Sequence, residues 1–269
     1  MTTDDIAVRF TLARAVAREA GALALDFWAR RATLTIETKD DPLDQVSQAD
    51  RETEVLIRTR IADRFPNDAL FGEEGGSTPG QSGLTWVIDP IDGTVPFVAG
   101  LPHWCVAIAL QGPDGTELGV IDVPVAGTQY AARRGHGAML DDVPLRISPD
   151  HRVTNTLVAL GASHRTAPER IIAVVGALMA RGGMFYRNGS GALMLADVAA
   201  GRLGGYYEPH MNAWDCLAGL LMIREAGGRT APFCDTVPLE QGDRALAAAP
   251  GVWDDLIEIV AQAEAAHQA

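Results

Sequence analysis

Three separated segments of this sequence carry carboxylates where the backbone is sharply constrained: Phe71-Gly-Glu-Glu74, Asp89-Pro-Ile-Asp-Gly-Thr94 and Trp214-Asp215. Hard divalent cations take oxygen ligands, and magnesium sites combine a few carboxylates with waters and substrate phosphate. Asp89 and Asp92 stand three apart across a turn that contains Pro90. That spacing can aim both carboxylates at one point while the Ile91 carbonyl also faces inward. Gly93-Thr94 then opens a predicted short helix, whose free N–H groups form an anion site. One hexapeptide can thus supply metal ligands, a phosphate cradle and a hydroxyl. Each segment also has a plainer reading: the Pro- and Gly-containing stretch as an Asx-turn, Glu73-Glu74 as a solvated acidic loop, and Asp215 as a helix N-terminal acid favoured by the dipole.

The elements that must position these residues follow from periodicity and punctuation. Residues 6–28, rich in Ala, Leu and Arg, predict an amphipathic helix, and 33–38 alternate as a strand does. Ser47-Gln-Ala-Asp50 resembles a capping box and opens a helix in which Ile57, Ile61 and Phe65 recur every four residues. Asp50 serves as a cap there whatever the function, and an acid at that position can also face a site. Residues 84–88 form a short apolar run, predicted as a buried strand that stops at Asp89-Pro90. Strands are further expected at 106–110, 118–123, 129–133, 157–160 and 203–207. Helices are expected at 168–180, 191–200, 214–226 and 252–266. The mixed order argues for an α+β or layered sandwich arrangement over a Rossmann fold. At 269 residues, two packed halves are expected. Residues 1–150 would carry the metal-site loops and 151–269 would complete the site.

Composition narrows the function. A net charge of −13 opposes binding to a phosphate backbone, so no nucleic-acid partner is expected. It also repels anionic substrates, unless some of the acids bind divalent cations and reverse the local field. Cys105, Cys216 and Cys234 are odd in number and scattered, which suggests neither a zinc site nor a disulfide framework. The start, MTTDDIAVRF, has no basic and apolar pattern of a signal peptide. No apolar stretch reaches membrane-spanning length. A cytoplasmic protein without a membrane partner is expected.

Taken together, Gly72-Glu-Glu74, Trp86-Val-Ile-Asp-Pro-Ile-Asp-Gly-Thr94, and Trp214-Asp-Cys-Leu-Ala-Gly219 with Glu225-Ala-Gly-Gly228 resemble the inositol monophosphatase family. Lys39 through Asp50 fits that family's first active-site loop and Arg134-Gly-His-Gly-Ala138 its central hairpin, so the resemblance covers nearly the whole chain. It implies an α/β fold layered αβαβα, a homodimer, two or three Mg²⁺ ions and sensitivity to Li⁺. It implies that Glu73 binds a first metal, with Asp89 bridging and the Ile91 carbonyl coordinating. Asp92 and Asp215 complete a second metal, and a third, weaker ion lies near Glu73 through waters. Thr94 and Asp50 look like the pair that orients and deprotonates the attacking water, which makes Thr94, Asp50 and Glu73 the catalytic set. Asp44 and Lys39 fall in the same mobile loop, Asp44 as a metal or water ligand and Lys39 as a charge that holds the loop.

For the substrate, the resemblance assigns Asp92, Gly93 and Thr94 to the phosphate end. Glu208 falls where inositol-specific members accept hydrogen bonds from ring hydroxyls, and Gly189-Ser190-Gly191 where the same pocket is lined. A strand-end acid and a Gly-rich turn remain the plainer alternatives. One departure stands out: Val95-Pro96-Phe97 follows Thr94, where inositol enzymes carry a hydroxyl residue and Asn. Pro is tolerated in a first helical turn, at the cost of one phosphate donor. The expected activity is Mg²⁺-dependent hydrolysis of a small phosphate monoester. Inositol 1-phosphate leads, histidinol phosphate is the alternative, and a non-catalytic ligand-binding member is the third reading. Bisphosphate substrates rank lower because no Arg/Lys cluster lies near the motifs, Arg165 and Arg187 being the nearest candidates.

Overall fold

The computed structural model describes residues 3–38, 45–163 and 165–268. The chain opens on α1 (Thr3–Ala29), and a small ribbon of β1 (Ile36–Thr38) and β2 (Gln45–Ser47) leads into α2 (Gln48–Arg64). A large mixed sheet follows, made of β3 (Ala69–Gly72), β4 (Gly76–Thr78), β5 (Thr85–Asp92), β6 (Cys105–Gly112), β7 (Gly115–Val123), β8 (Thr128–Arg133), β9 (Ala138–Leu140) and β10 (Val143–Pro144). Its spatial order is β10-β9-β8-β7-β6-β5-β3-β4, with the short α3 (Thr94–Ala99) between β5 and β6. The rest of the chain builds β11 (Leu157–Leu160), α4 (Pro168–Ala180), β12 (Met184–Tyr186), α5 (Gly191–Ala199), β13 (Gly205–Met211), α6 (Ala213–Glu225), β14 (Arg229–Thr230), β15 (Asp243–Ala248) and α7 (Pro250–Gln268). Its five strands form a second sheet in the order β12-β11-β13-β15-β14.

These elements stack in five layers because the large sheet is apolar on both faces. Along β6 the side chains alternate: Val106, Ile108 and Leu110 meet α1 and α2, whereas Cys105, Ala107 and Ala109 belong to the cluster around α5 and α6. The smaller sheet covers the far side of α5 and α6, and α4 and α7 close the stack. Glycines set the close approaches. A Cβ at Gly21 of α1 would stand 2.3 Å from Asp122 Oδ2, and one at Gly119 would stand 2.6 Å from the Ala218 Cα of α6. Gly119 and Asp122, three apart on β7, thus meet helices on opposite faces of the sheet. The larger sheet comes entirely from residues before 150 and the smaller from residues after it. One apolar cluster nevertheless runs through both, from Phe71 to Ala263. Among the described residues no helix is long and apolar enough to cross a membrane.

Two strands run further than their apolar runs suggest. β5 does not stop at Asp89-Pro90: it continues to Asp92, which pairs with Cys105, and its register shifts between Asp89 and Asp92. β13 starts later than position 203 and passes Glu208-Pro209 to reach Met211, again with a register shift. Proline has no N–H to donate, so the ladder is broken at each Asp/Glu-Pro step and the strand bends there. The stretch expected to be a strand at 33–38 is narrower, since Arg31–Thr33 closes a 3-10 turn and β1 begins at Ile36. Strands β3 and β4 were hidden in the acidic segment around Glu73, and β15 in an Ala-rich run without alternation.

Candidate active site

The bend in β5 brings Asp89 and Asp92 to the wall of a cavity of about 590 Å³ that lies between the two sheets. Asp215 arrives from the first turn of α6, where it forms a capping box with Asn212 and accepts from the Asn212 N–H at 3.3 Å. One carboxylate oxygen from each of Asp89, Asp92 and Asp215 lies within 4.8 Å of the others. Burial lifts Asp89 and Asp215 well above the usual carboxylate range, and the charges of Glu73 and the neighbouring aspartates lift them further. Such crowding of acids is costly in a protein alone and is relieved by a cation. The donor set, all hard oxygen, fits Mg²⁺. Glu73 also lines the cavity but stands outside the tight group of three, and its charge reaches both Asp89 and Asp215.

Glu73 is positioned by a residue with no obvious sequence signal. Glu54 of α2 is buried, and its two oxygens accept from the N–H groups of Glu74 at 2.7 Å and Gly75 at 2.8 Å. Arg58, one turn on, donates to Glu54 at 2.6 Å. A Cβ at Gly72 would lie 2.3 Å from Glu54 Oε1, so the clamp requires the glycine. Asp50, Glu54, Ile57 and Ile61 form one buried stripe of α2. Its apolar end sits in the core and its acidic end supports the site.

The Asp50–Thr94 hydrogen bond expected from the sequence is present. Thr94 Oγ1 lies 3.1 Å from Asp50 Oδ1 and 3.1 Å from the Ile91 carbonyl, so its single proton can serve either acceptor. Asp50 is also the capping-box acid, accepting from Ser47 N at 2.8 Å and Ser47 Oγ at 2.6 Å. The capping bonds and the bond from Thr94 therefore coexist in one carboxyl. Burial raises the Asp50 carboxyl to about 6, against the pull of Ser47 and Thr94. Thr94 lines the cavity, and Asp50 stands behind it. Gly93, with φ of +95°, caps α3, and a Cβ there would meet the His103 carbonyl at 2.8 Å. Pro96 removes one first-turn N–H, leaving those of Thr94 and Val95 without an acceptor inside the helix. It also packs on Gly189, where a Cβ would come within 2.8 Å of Pro96 Cγ.

Of the expected substrate residues, Gly189, Gly191 and Glu208 line the cavity and Ser190 does not. The Ser190 hydroxyl is fully buried and donates to Asp92, which also accepts from the N–H groups of Gly191 at 3.2 Å and Ala192 at 2.8 Å. The Cys105 thiol lies 3.6 Å from the same carboxylate. Ser190 is thus placed to orient Asp92, because it is the N-cap of α5 and Asp92 sits at that helix end. Burial raises Glu208 to about 7 against the hydrogen bond from Tyr206 Oη at 2.5 Å and the charges of Arg187 and Arg165. Tyr206 and Glu208, two apart on β13, share a face, so alternation alone could have paired them. Arg165 and Arg187 join the cavity wall, which no local spacing announced. Lys39 and Asp44 lie outside the described residues.

A layered αβαβα sandwich with clustered carboxylates beside a helix tip, at the seam of its two sheets, defines a class of metal-dependent phosphatases. The sequence profile described as the inositol monophosphatase family matches residues 5–267, and the chain belongs to that family. It is a phosphoric monoester hydrolase. Among relatives, the "Nus factor SuhB" of Haemophilus influenzae is 36% identical over 221 residues, covering 81% of this chain and 82% of the relative. The inositol-1-monophosphatase of Rhizobium meliloti is 36% identical over 220 residues, with 81% and 82% covered. The histidinol-phosphatase of Chlorobaculum parvum is 34% identical over 259 residues, with 94% and 96% covered. The crystal structure of the extragenic suppressor protein suhB from Bartonella henselae superposes with a TM-score of 0.87 at 29% identity, covering 94% of this chain and 98% of that one.

Proposed function

We propose that this chain hydrolyses inositol 1-phosphate with Mg²⁺ held by Asp89, Asp92, Asp215, Glu73 and the Ile91 carbonyl. The convergence of the three aspartates within 4.8 Å carries the reading, since a divalent cation bound among them relieves their mutual repulsion. Bound magnesium supplies positive charge at the phosphoryl oxygens and lowers the pKa of an attacking water. The residues do the rest. The first turn of α3 offers N–H donors to the phosphate. Thr94 Oγ1 can accept a proton from the attacking water while passing its own to Asp50 Oδ1, 3.1 Å away. A carboxyl raised to about 6 is a better base near neutrality than an ordinary aspartate. The new P–O bond forms as the ester P–O bond breaks, and the alcohol leaves with a proton from solvent. Glu208, at the far wall, accepts from ring hydroxyls.

Histidinol phosphate is the second reading, supported by the relative named histidinol-phosphatase and by Glu208, whose carboxylate pairs with an ammonium as readily as with a hydroxyl. The homodimer that the family resemblance implies is part of the proposal, as is inhibition by Li⁺. A phosphate-release panel with inositol 1-phosphate and histidinol phosphate, run with Mg²⁺ and with chelator, tests the assignment. Chelator is expected to abolish release, and Asp92→Asn or Asp215→Asn to cut kcat by about a hundredfold or more. Near-wild-type turnover by both variants would remove the metal assignment.

A further inference from the structure

Val95 of α3 and the first turn of α4 put apolar side chains on the wall of the cavity that holds Asp89, Asp92 and Asp215. Val95 stands one residue past Thr94 and is 39% exposed, so an apolar group lies bare at the turn proposed to hold the phosphate. Pro168 opens α4 and Ile171 follows three residues on, which places them on one helix face, and both line the cavity. Pro209 joins them through the break in β13. In a regular strand Glu208 and Pro209 would point to opposite faces. The register shift between Glu208 and Met211 lets both line the cavity.

These four side chains share two properties. None carries a polar atom, and all are stiff: valine and isoleucine are branched at Cβ and restricted at χ1, and the proline rings are fixed. A ligand that packs on them releases water from apolar surface and immobilises little that was free before. A polyol gains nothing from this wall. Hydroxyls turned toward it would give up water without finding a partner, whereas Glu208 offers them an acceptor elsewhere in the cavity. At about 590 Å³ the cavity has the size of a whole small-molecule site. An ester with its phosphate at the aspartates thus has room to reach the start of α4.

We propose that this cavity also takes phosphate monoesters of primary alcohols whose far end is a compact apolar group, aliphatic or aryl, seated against Val95, Pro168, Ile171 and Pro209. The inference rests on the phosphatase reading of the aspartate cluster. Chemistry is confined to the phosphate: the oxygen of water bonds to phosphorus, the ester P–O bond breaks, and the alkoxide takes a proton from solvent and departs with its apolar group intact. Val95 and Ile171 are then specificity-determining residues. They meet a part of the substrate that does not react and is held alike in ground and transition states, so they act on KM and leave kcat nearly unchanged.

The test measures kcat and KM of the full chain with saturating Mg²⁺ for 2-phenylethyl, 3-methylbutyl and 2-hydroxyethyl phosphates and for inositol 1-phosphate. The first three are primary alkyl esters that differ at the far end. In wild type kcat/KM for at least one apolar ester should exceed that for the hydroxyethyl ester by about tenfold or more, as contacts in an apolar pocket allow. The better of the two tells aryl from aliphatic. Val95→Ser and Ile171→Thr, singly and together, should raise KM for the apolar esters severalfold, with kcat and the hydroxyethyl ester little changed. Val95→Ile and Ile171→Val, which keep the apolar surface, should keep the preference. If the double variant does not fold, Val95→Ser, at an exposed position, carries the comparison. A wild type that turns over inositol 1-phosphate and shows no preference for an apolar end overturns this inference and leaves the phosphatase reading standing. A preference indifferent to Val95→Ser and Ile171→Thr also overturns it. A preference that these substitutions erase, without turnover of inositol 1-phosphate, supports it and removes inositol 1-phosphate as substrate. No phosphate release from any ester overturns both.

Discussion

The Ser190 hydroxyl donates to the Asp92 carboxylate, so the residue proposed to hold a cation also closes the N-terminus of α5. β5 and α5 come from opposite halves of the chain, and this contact locks one to the other at the cavity wall. Two N–H groups of α5, from Gly191 and Ala192, complete the grip. They offset part of the rise that burial imposes on Asp92. A carboxylate oriented by donors behind it presents its remaining lone pairs in a fixed direction, as supporting groups around metal ligands commonly arrange.

Ser190→Ala removes one of those donors and leaves the backbone pair. A tenfold rise in the Mg²⁺ concentration for half-maximal activity is expected, in the usual range for such supporting groups. Direct titration with Mn²⁺ by electron paramagnetic resonance should show the same weakening. Ser190→Thr, which keeps the hydroxyl, should recover most of it. A loss of kcat at saturating metal with unchanged metal affinity would count against this role.

The Glu54 clamp makes a second prediction. Both oxygens of Glu54 are used, one by each of two adjacent N–H groups. Glutamine offers one oxygen and turns an NH₂ group toward the other N–H. Glu54→Gln should therefore loosen the turn that carries Glu73, at about 1–3 kcal/mol for the unsatisfied donor. Activity at limiting Mg²⁺ is expected to fall about tenfold, with a lower melting temperature, if that loss is transmitted to Glu73. Unchanged metal dependence in a normally folded variant would show that the turn holds itself.

How much of this was legible in the sequence depends on where each partner lies. Asp89 and Asp92 announce themselves because Pro90 and Gly93 punctuate the same few residues, and the backbone bend that aims them is local. Asp50 was readable as a cap, and its bond to Thr94 followed once a family resemblance joined two loops 44 residues apart. Glu54 was not readable: a buried acid on a helix looks like any surface acid until the N–H groups it receives are known. The same holds for Ser190, whose Gly-rich surroundings suggested open cavity while its hydroxyl turned inward onto Asp92. Arg165 and Arg187 could be named only as the nearest basic residues, and their place on the cavity wall was not readable for a simpler reason. Their site is assembled by the crossing of the β11 loop with the end of β12, and no spacing in the chain encodes that.

Asp122 gives a pH-dependent prediction away from the site. It is buried beneath α1, where Gly21 approaches it and Arg18 Nε stands 3.3 Å away. Burial raises its carboxyl to about 6, and Arg18 and Gln129 only partly oppose that rise. The folded chain thus binds a proton more tightly than the unfolded chain does. Its stability contribution is complete below the ordinary aspartate range and is lost as pH rises through about 6. Asp122→Asn can still accept from Gln129 and has no such titration. Chemical denaturation from pH 4 to pH 7 should show the wild type losing stability relative to the variant, by at most about 3 kcal/mol. Parallel curves would mean that Asp122 titrates normally in the fold.

Glu208 makes the corresponding prediction for substrate. Burial holds its carboxyl near 7, with Tyr206 and the two arginines pulling downward. Below that pH the group is protonated and can donate as well as accept; above it, the carboxylate accepts more strongly from substrate hydroxyls. KM for inositol 1-phosphate should therefore fall severalfold as pH rises from 6 to 8, while kcat follows other groups. Glu208→Gln keeps the shape and removes the charge, so its KM should lose that pH dependence and sit near the low-pH value of the wild type. Replacing Tyr206 by Phe removes the hydrogen bond that lowers the Glu208 carboxyl. The midpoint of the KM profile should then move to higher pH, a shift that a purely structural role for Tyr206 would not produce. A KM profile that stays flat in wild type would show that Glu208 does not meet the substrate.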